Sequence, residues 1–222
     1  DFNSTIHELS HSKPDNLLAL LKNKTYEEIY LEACELINQM LELIRPKSLL
    51  MIALDGVGPI AKISDQLTNR YSKSFIKSKD ETTEFLEKLN LERKNNFNKN
   101  EISPCTEFML NFEKYLDNYI QQKIKEKAEV WKDITVILSG TNVPGEGEYK
   151  IMEEIREEKL KNKDKDIKEN KKYCIFSGDA DFILLSLLIH EPNIVLLKKG
   201  TSTKNANEYN YEFTKENNLL YF

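Results

Sequence analysis

Five carboxylates fall where an apolar run has just ended: Asp55 after SLLMIAL, Glu146 and Glu148 within NVPGEGEYKIM after ITVIL, and Asp179 and Asp181 within SGDADF after YCIF. A sixth, Asp1, precedes FNSTIH. Taken singly each has an ordinary explanation, since Asp-Gly makes turns and acids suit helix N-termini, where the macrodipole is positive. Gathered at one rim they would repel at neutral pH, and a cation would have to sit among them. Hard divalent ions take oxygen ligands, which makes Mg2+ the expected cofactor and Mn2+ its substitute. Two such ions about 3.5–4 Å apart are the usual device for in-line attack at a phosphodiester. Gly145 and Gly147 would let the backbone carry both glutamates to a metal or a phosphate with no Cβ in the way.

A basic face follows the first acid. In GVGPIAKISDQLTNRYSKS a helix starting near Pro59 sets Lys62, Gln66 and Arg70 at i, i+4 and i+8. Two cations and an amide donor on one face suit a terminal phosphate better than a long duplex backbone; the ordinary alternative is a solvated helix face. His7 and His11 are four apart, a zinc-like spacing, but HExxH is absent and no third soft ligand lies nearby. His7 reads instead as a polar or stacking ring beside the site, His11 as structural, His190 as a cap or core residue, and Trp131 as core.

The elements that must position these residues alternate. YEEIYLEACELINQMLELI has helical periodicity through Ile29, Leu31, Cys34, Leu36, Ile37, Met40, Leu41 and Ile44, and Pro46 ends it. SLLMIALDG and ITVILSG read as strands buried on both faces. Ser103 and Pro104 suit the start of a helix carrying Phe108, Phe112, Leu116, Tyr119 and Ile120 on one face. YCIFSGDADFILLSLLIH gives strand, turn and helix, and NIVLLKK a further strand. Such alternation implies an α/β fold with a mostly parallel sheet and helices on both faces, and ligands collect outside the carboxyl ends of its strands. Residues 77–101 and 157–172 are polar or mixed-charge stretches, read as an exposed helix and a solvated loop.

The 222 residues fit one domain, or one and a half, with 40% apolar content, enough for a core. A net charge of −5 and a pI near 5.5 argue against holding polyanions by bulk positive field, so any nucleic acid must be gripped locally. No run approaches the roughly 18 apolar residues of a membrane span, and no leader pattern is visible, so the expected location is intracellular. Cys34, Cys105 and Cys174 are odd in number and widely spaced, and read as reduced core thiols. The chain opens without Met and stops at NNLLYF, as an excised piece of something longer would.

With these residues in place, the chain resembles the catalytic region of the 5′→3′ exoribonucleases that degrade decapped or cleaved RNA in cytoplasmic and nuclear forms. DFNSTIHELSH is similar to their opening D-x-N-x-x-x-H segment and IALDGVGPIAKISDQ to their strand, aspartate and basic helix. ISPCTEFM, VILSGTNVPGEGEYKIM and GDADFILLSLLIHEPNI follow in the family's order. The resemblance covers nearly all of residues 1–200, the expected nuclease domain, with residues 201–222 as the start of a further segment. It implies a Rossmann-like nuclease fold shared with flap endonucleases and PIN-like domains. It also implies that Asp1, Asp55, Glu146, Glu148, Asp179 and Asp181 are metal-binding, catalytic acids. By the same resemblance Lys62, Gln66 and Arg70 form a 5′-monophosphate pocket, and His7 packs against the first nucleotides. The implied reaction is Mg2+-dependent, processive removal of 5′-mononucleotides from single-stranded RNA.

There are departures. Asn69 stands where the family usually has a second arginine, Ser177-Gly178 replaces the more usual Gly-Leu, and Cys105 replaces a glycine. The family's N-terminal strand, a further metal aspartate and the aromatic wall of the nucleotide pocket have no counterpart in these residues. Two alternatives stand beside this reading: a flap-type endonuclease acting on DNA, and a non-catalytic RNA-binding domain of the same fold. A phosphotransferase reading of GDADF is weaker, because Ile183 breaks the nucleophile-x-Asp-x-Thr pattern.

Overall fold

The computed structural model describes residues 1–10, 24–75, 99–161, 171–178 and 181–197, and not the side chains of 69–75 and 99. His11, Asp179, residues 76–98 and 162–170, and everything after 197 lie outside the described residues, as does the Arg70 side chain.

Helix α1 spans Asn3–Ser10 and α2 spans Tyr26–Ile44. A reciprocal cap opens α2: the Glu28 amide donates to Thr25 Oγ1 at 3.2 Å and the Thr25 amide to Glu28 Oε2 at 2.8 Å. The expected apolar stripe is buried from Ile29 to Leu41, except Leu31, which is exposed. Arg45 then turns left-handed before Pro46 and its amide donates to the Leu41 carbonyl at 2.8 Å, closing the helix.

Strand β1 (Leu49–Ala53) leads to α3 (Ile60–Phe75), which begins just after Pro59 as expected. Helix α4 spans Glu107–Lys125, and β2 spans Thr135–Ser139. The start of α4 differs from expectation: Thr106, not Ser103, is the N-cap, its hydroxyl accepting from the Met109 amide at 3.4 Å. The reason lies one residue earlier, where Cys105 adopts a left-handed φ of 63° that no helix can contain. Ser103 is left to offer its carbonyl to the Thr106 hydroxyl at 3.0 Å. Then come α5 (Gly147–Lys161), β3 (Tyr173–Phe176), α6 (Asp181–Ile189) and β4 (Ile194–Leu197).

The fold is α/β, and every strand pairing among the described residues is parallel. β1 pairs with β2 from Leu49–Thr135 to Ala53–Ser139, and β3 pairs with β4 from Tyr173–Ile194 to Phe176–Leu197. These are two separate pairs rather than one ladder. The Asp1–Phe2 backbone lies between them, its Phe2 amide donating to the Ala53 carbonyl at 3.1 Å and its Asp1 nitrogen to the Phe176 carbonyl at 3.0 Å.

Alternation along β1 feeds two cores. Ile52 and Leu54 enter one built from α1, α2, α4 and Trp131, and Ala53 enters the other with Ile151, Met152, Ile155, Ile175, Phe182 and Ile189. Helices therefore cover both faces. Burial is lighter than the sequence suggests, since Leu49–Met51 and most of β2 are only half-buried. Helix α6 is apolar all round, yet Leu184, Leu187 and Leu188 are exposed. Trp131 is a core residue, its indole N–H donating to Asn38 Oδ1 at 3.0 Å. His190 is exposed and left-handed, a residue that closes α6 and not a core one. Of the cysteines only Cys34 is buried; Cys105 and Cys174 are exposed, a correction to their reading as core thiols. No described helix is long and apolar enough to cross a membrane.

Candidate active site

The carboxyl ends of β1 and β3 are held together by short side chains at the start of α1. Asn3 is buried and its Oδ1 accepts from the Asp55 amide at 3.1 Å. The Ser4 hydroxyl accepts from the Gly178 amide at 3.2 Å, and the Ser177 hydroxyl donates to Asp1 Oδ2 at 3.4 Å. Residues 1–4 thus tie the turn carrying Asp55 to the turn leading to SGDADF. Asn3, Ser4 and Ser177 were not among the sequence candidates.

The turns after β1 and β2 are zipped to each other: the Gly56 amide donates to the Gly145 carbonyl at 2.8 Å and the Gly145 amide to the Val57 carbonyl at 2.9 Å. Gly145 has φ of 101°, a conformation that side-chain-bearing residues rarely adopt. Gly147 serves by its small size, since a Cβ there would lie 2.6 Å from Asp1 Oδ1 and 3.2 Å from the Ala53 carbonyl. Its amide donates to Asp55 Oδ1 at 2.8 Å.

Glu146 directly precedes α5, Glu148 lies in its first turn and is 8% exposed, and Asp181 opens α6. Helix N-termini favour these acids. Lys62 lies near the start of α3, where the dipole disfavours a cation, and an ion pair compensates: its Nζ is 3.2 Å from Glu146 Oε1. The Glu146 hydrogen bond raises the Lys62 pKa most; partial burial opposes it, and the charges of Glu146, Glu148 and Asp181 add to the rise. One ammonium therefore feels three of the expected acids. Gln66, one turn further along α3, is exposed, as is His7 on α1.

Behind the rim, Lys150 is buried and donates to the Leu54 carbonyl at 2.7 Å and the Gly140 carbonyl at 2.8 Å. Burial lowers its pKa, while Asp55 and Glu113 pull it back up. Glu113 on α4 in turn accepts from the Thr141 amide at 3.0 Å and hydroxyl at 3.2 Å. Neither was a sequence candidate; Lys150 lies in the first turn of α5 between exposed Tyr149 and buried Ile151.

The structure thus brings Asp1 and Asp55 together at Gly147, and Glu146 onto Lys62, whose pKa the charges of Glu148 and Asp181 also raise. Among the described residues no group of three or more His, Cys, Asp or Glu side chains is close enough to hold an ion. Asp55 is engaged by the Gly147 amide and Glu146 by Lys62. The donor set is nevertheless all carboxylate oxygen, the chemistry that suits Mg2+ or Mn2+, and the space that Gly147 keeps open beside Asp1 fits that use.

Residues 1–200 match the model of the XRN 5′-3′ exonuclease N-terminus. The chain is 33% identical over 220 residues to 5′-3′ exoribonuclease 1 of Saccharomyces cerevisiae, covering 99% of this chain and 14% of that protein. It is 33% identical over 200 residues to 5′-3′ exoribonuclease 1 of Homo sapiens (90% and 11%) and 36% identical over 210 residues to 5′-3′ exoribonuclease 2 of Gallus gallus (90% and 21%). It spans well under two thirds of the length of each of these relatives. With its strand-end acids, their glycine hinge and the family match along residues 1–200, the chain belongs to the 5′-3′ exonuclease N-terminal family.

Proposed function

We propose that this chain is the catalytic portion of a 5′→3′ exoribonuclease that hydrolyses single-stranded RNA bearing a 5′-monophosphate to mononucleotides. The observation that supports the reading is the ion pair of Lys62 with Glu146 at 3.2 Å, beside the Gly147 amide that holds Asp55 and lies close to Asp1. Asp1, Asp55, Glu146, Glu148, Asp179 and Asp181 would hold Mg2+ or Mn2+. When bound, two such ions supply an activated water and stabilise the leaving oxygen.

The chain's own residues do the positioning. Lys62, Gln66 and Arg70 hold the terminal phosphate so that the first phosphodiester lies over the acids, and His7 packs against the first nucleotides. In the described structure Glu146 holds the Lys62 ammonium, and an arriving phosphate would compete for it. Phosphate selection is electrostatic and steric, so a triphosphate or a cap is rejected. A reaction of this kind works inside the cell, in cytoplasm or nucleus.

The test compares RNAs with 5′-monophosphate and 5′-triphosphate ends, with Mg2+ and with EDTA. Mononucleotide release from the monophosphate substrate alone, abolished by EDTA and restored by Mg2+, is the expected result. Equal degradation of both ends overturns the phosphate pocket. Oligonucleotide release from a 5′-flap DNA favours an endonuclease, and RNA binding without turnover favours a non-catalytic domain.

A further inference from the structure

We infer that Lys150 is a positioning residue that braces the backbone before Asp55 against the end of β2 and the turn bearing Glu146 and Glu148, and so supports the acids that would hold the divalent ions; the inference rests on the metal-dependent reading above.

The β1–β2 ladder ends just before the acids begin. Its last bond runs from the Leu54 amide to the Ser139 carbonyl at 2.9 Å. Beyond that point the ladder is interrupted at Asp55 and Thr141 before the two turns rejoin through the Gly56 and Gly145 amides. The Lys150 ammonium sits at this interruption, bonded to the carbonyls of Leu54, directly before Asp55, and of Gly140, directly after β2. Its own amide donates to the Glu146 carbonyl at 3.2 Å, and Glu148 lies two residues before it. One side chain therefore ties the residue before Asp55, the end of β2 and the helix turn bearing both glutamates. A neutral amide or hydroxyl at this position lacks the reach and the three donors of a lysine. Glu113 braces the same interruption from α4 through Thr141.

The test is Lys150→Met, which keeps the length and removes the donors, with Lys150→Arg as the variant that keeps a charge but moves it. Mn2+ binding to each protein is followed by electron paramagnetic resonance, and the Mg2+ dependence and RNA KM of hydrolysis are measured alongside. Supporting outcomes are a loss of about 10- to 100-fold in Mn2+ affinity, a matching rise in the Mg2+ needed for half-maximal rate, and an RNA KM within twofold of the parent. Parent-like Mn2+ affinity in folded Lys150→Met overturns the inference and leaves the metal reading standing. A parent protein that neither binds Mn2+ nor hydrolyses RNA overturns both. Should Lys150→Met fail to fold, Lys150→Arg decides: weakened Mn2+ affinity supports the inference, and unchanged affinity overturns it.

Discussion

The Gly147 amide donates to Asp55 Oδ1 at 2.8 Å, although 92 residues separate the two in the chain. This bond joins the carboxyl end of β1 to the first residue of α5, and the missing Cβ of Gly147 leaves room for Asp1 on the same side. Backbone, glycine and two aspartates form one unit, in which a small change at the glycine must move an acid.

Gly147→Ala should therefore damage the site more than the fold. The new Cβ would stand 2.6 Å from Asp1 Oδ1, so the Asp1 side chain or the helix start has to shift. Overpacking of this kind costs about 1–3 kcal/mol of stability. Activity on 5′-phosphorylated RNA should fall by about 100-fold or more, because misplacement by about 1 Å is expensive in a positioned site. Thermal unfolding and single-turnover hydrolysis measure the two effects. Unchanged turnover would show that Asp1 does not take part.

Cys105 offers the opposite effect. It is exposed with φ of 63°, a conformation that costs a residue bearing a Cβ roughly 1–2 kcal/mol. Its side chain makes a long bond, from Sγ to the Thr141 carbonyl at 3.7 Å. Cys105→Gly relieves the strain and gives part of it back as unfolded-state entropy. The expected net gain is about 0.5–1 kcal/mol, read as a higher urea midpoint with an unchanged slope. A lower midpoint would mean that the thiol contact matters more than the backbone.

These two sites show what the sequence could and could not reveal. Asp55, Glu146, Glu148 and Asp181 were legible because a parallel α/β chain must bring the ends of its strands to one edge, and residues just past an apolar run mark that edge. The place of Lys62 in the first turn of α3 was legible because Pro59 marks the helix start, whereas its ion pair with Glu146, 84 residues away, was not. Asn3, Ser4 and Lys150 were not, since their partners are main-chain groups at 54, 55, 140 and 178 with no side-chain signature. The α4 cap was misplaced for a related reason: Ser103 and Thr106 are both good caps, and the choice follows from the left-handed turn at Cys105. Two parallel pairs in place of one ladder reflect the Asp1–Phe2 backbone lying between them, which no periodicity announces.

Lys62 is expected to act on substrate affinity. Its ammonium is about half exposed and held by Glu146, so it is available to an incoming phosphate at the price of one ion pair. A hydrogen bond to a charged group is worth about 1.5–3 kcal/mol, so Lys62→Met should raise KM for 5′-monophosphorylated RNA by about 10- to 100-fold with a smaller change in kcat. For 5′-hydroxyl RNA, which has no terminal phosphate to lose, KM should hardly move. Lys62→Arg should lie between. Equal losses on both RNAs would assign Lys62 to organising Glu146 rather than to the phosphate.

Stability should decline in alkali for a reason that lies far from the site. Burial, helped by Glu35, pushes the Cys34 thiol up to about 12 from 9.0, and burial pushes Tyr119 up to about 12 from 10.0. Both groups keep their protons in the folded chain at pH values where the unfolded chain has lost them. Their contribution is complete below pH 9, begins to fall as the unfolded Cys34 ionises, and is gone once the folded groups ionise near 12. Unfolding midpoints measured from pH 8 to 11 should fall over this interval, and Cys34→Ala, less stable at every pH, should show a shallower slope. Iodoacetamide at pH 8 should modify the exposed Cys105 and leave Cys34 untouched until denaturant is added. Labelling of Cys34 in the folded protein at the rate of Cys105 would show that α2 opens readily, and the alkaline slope would then have to come from other groups.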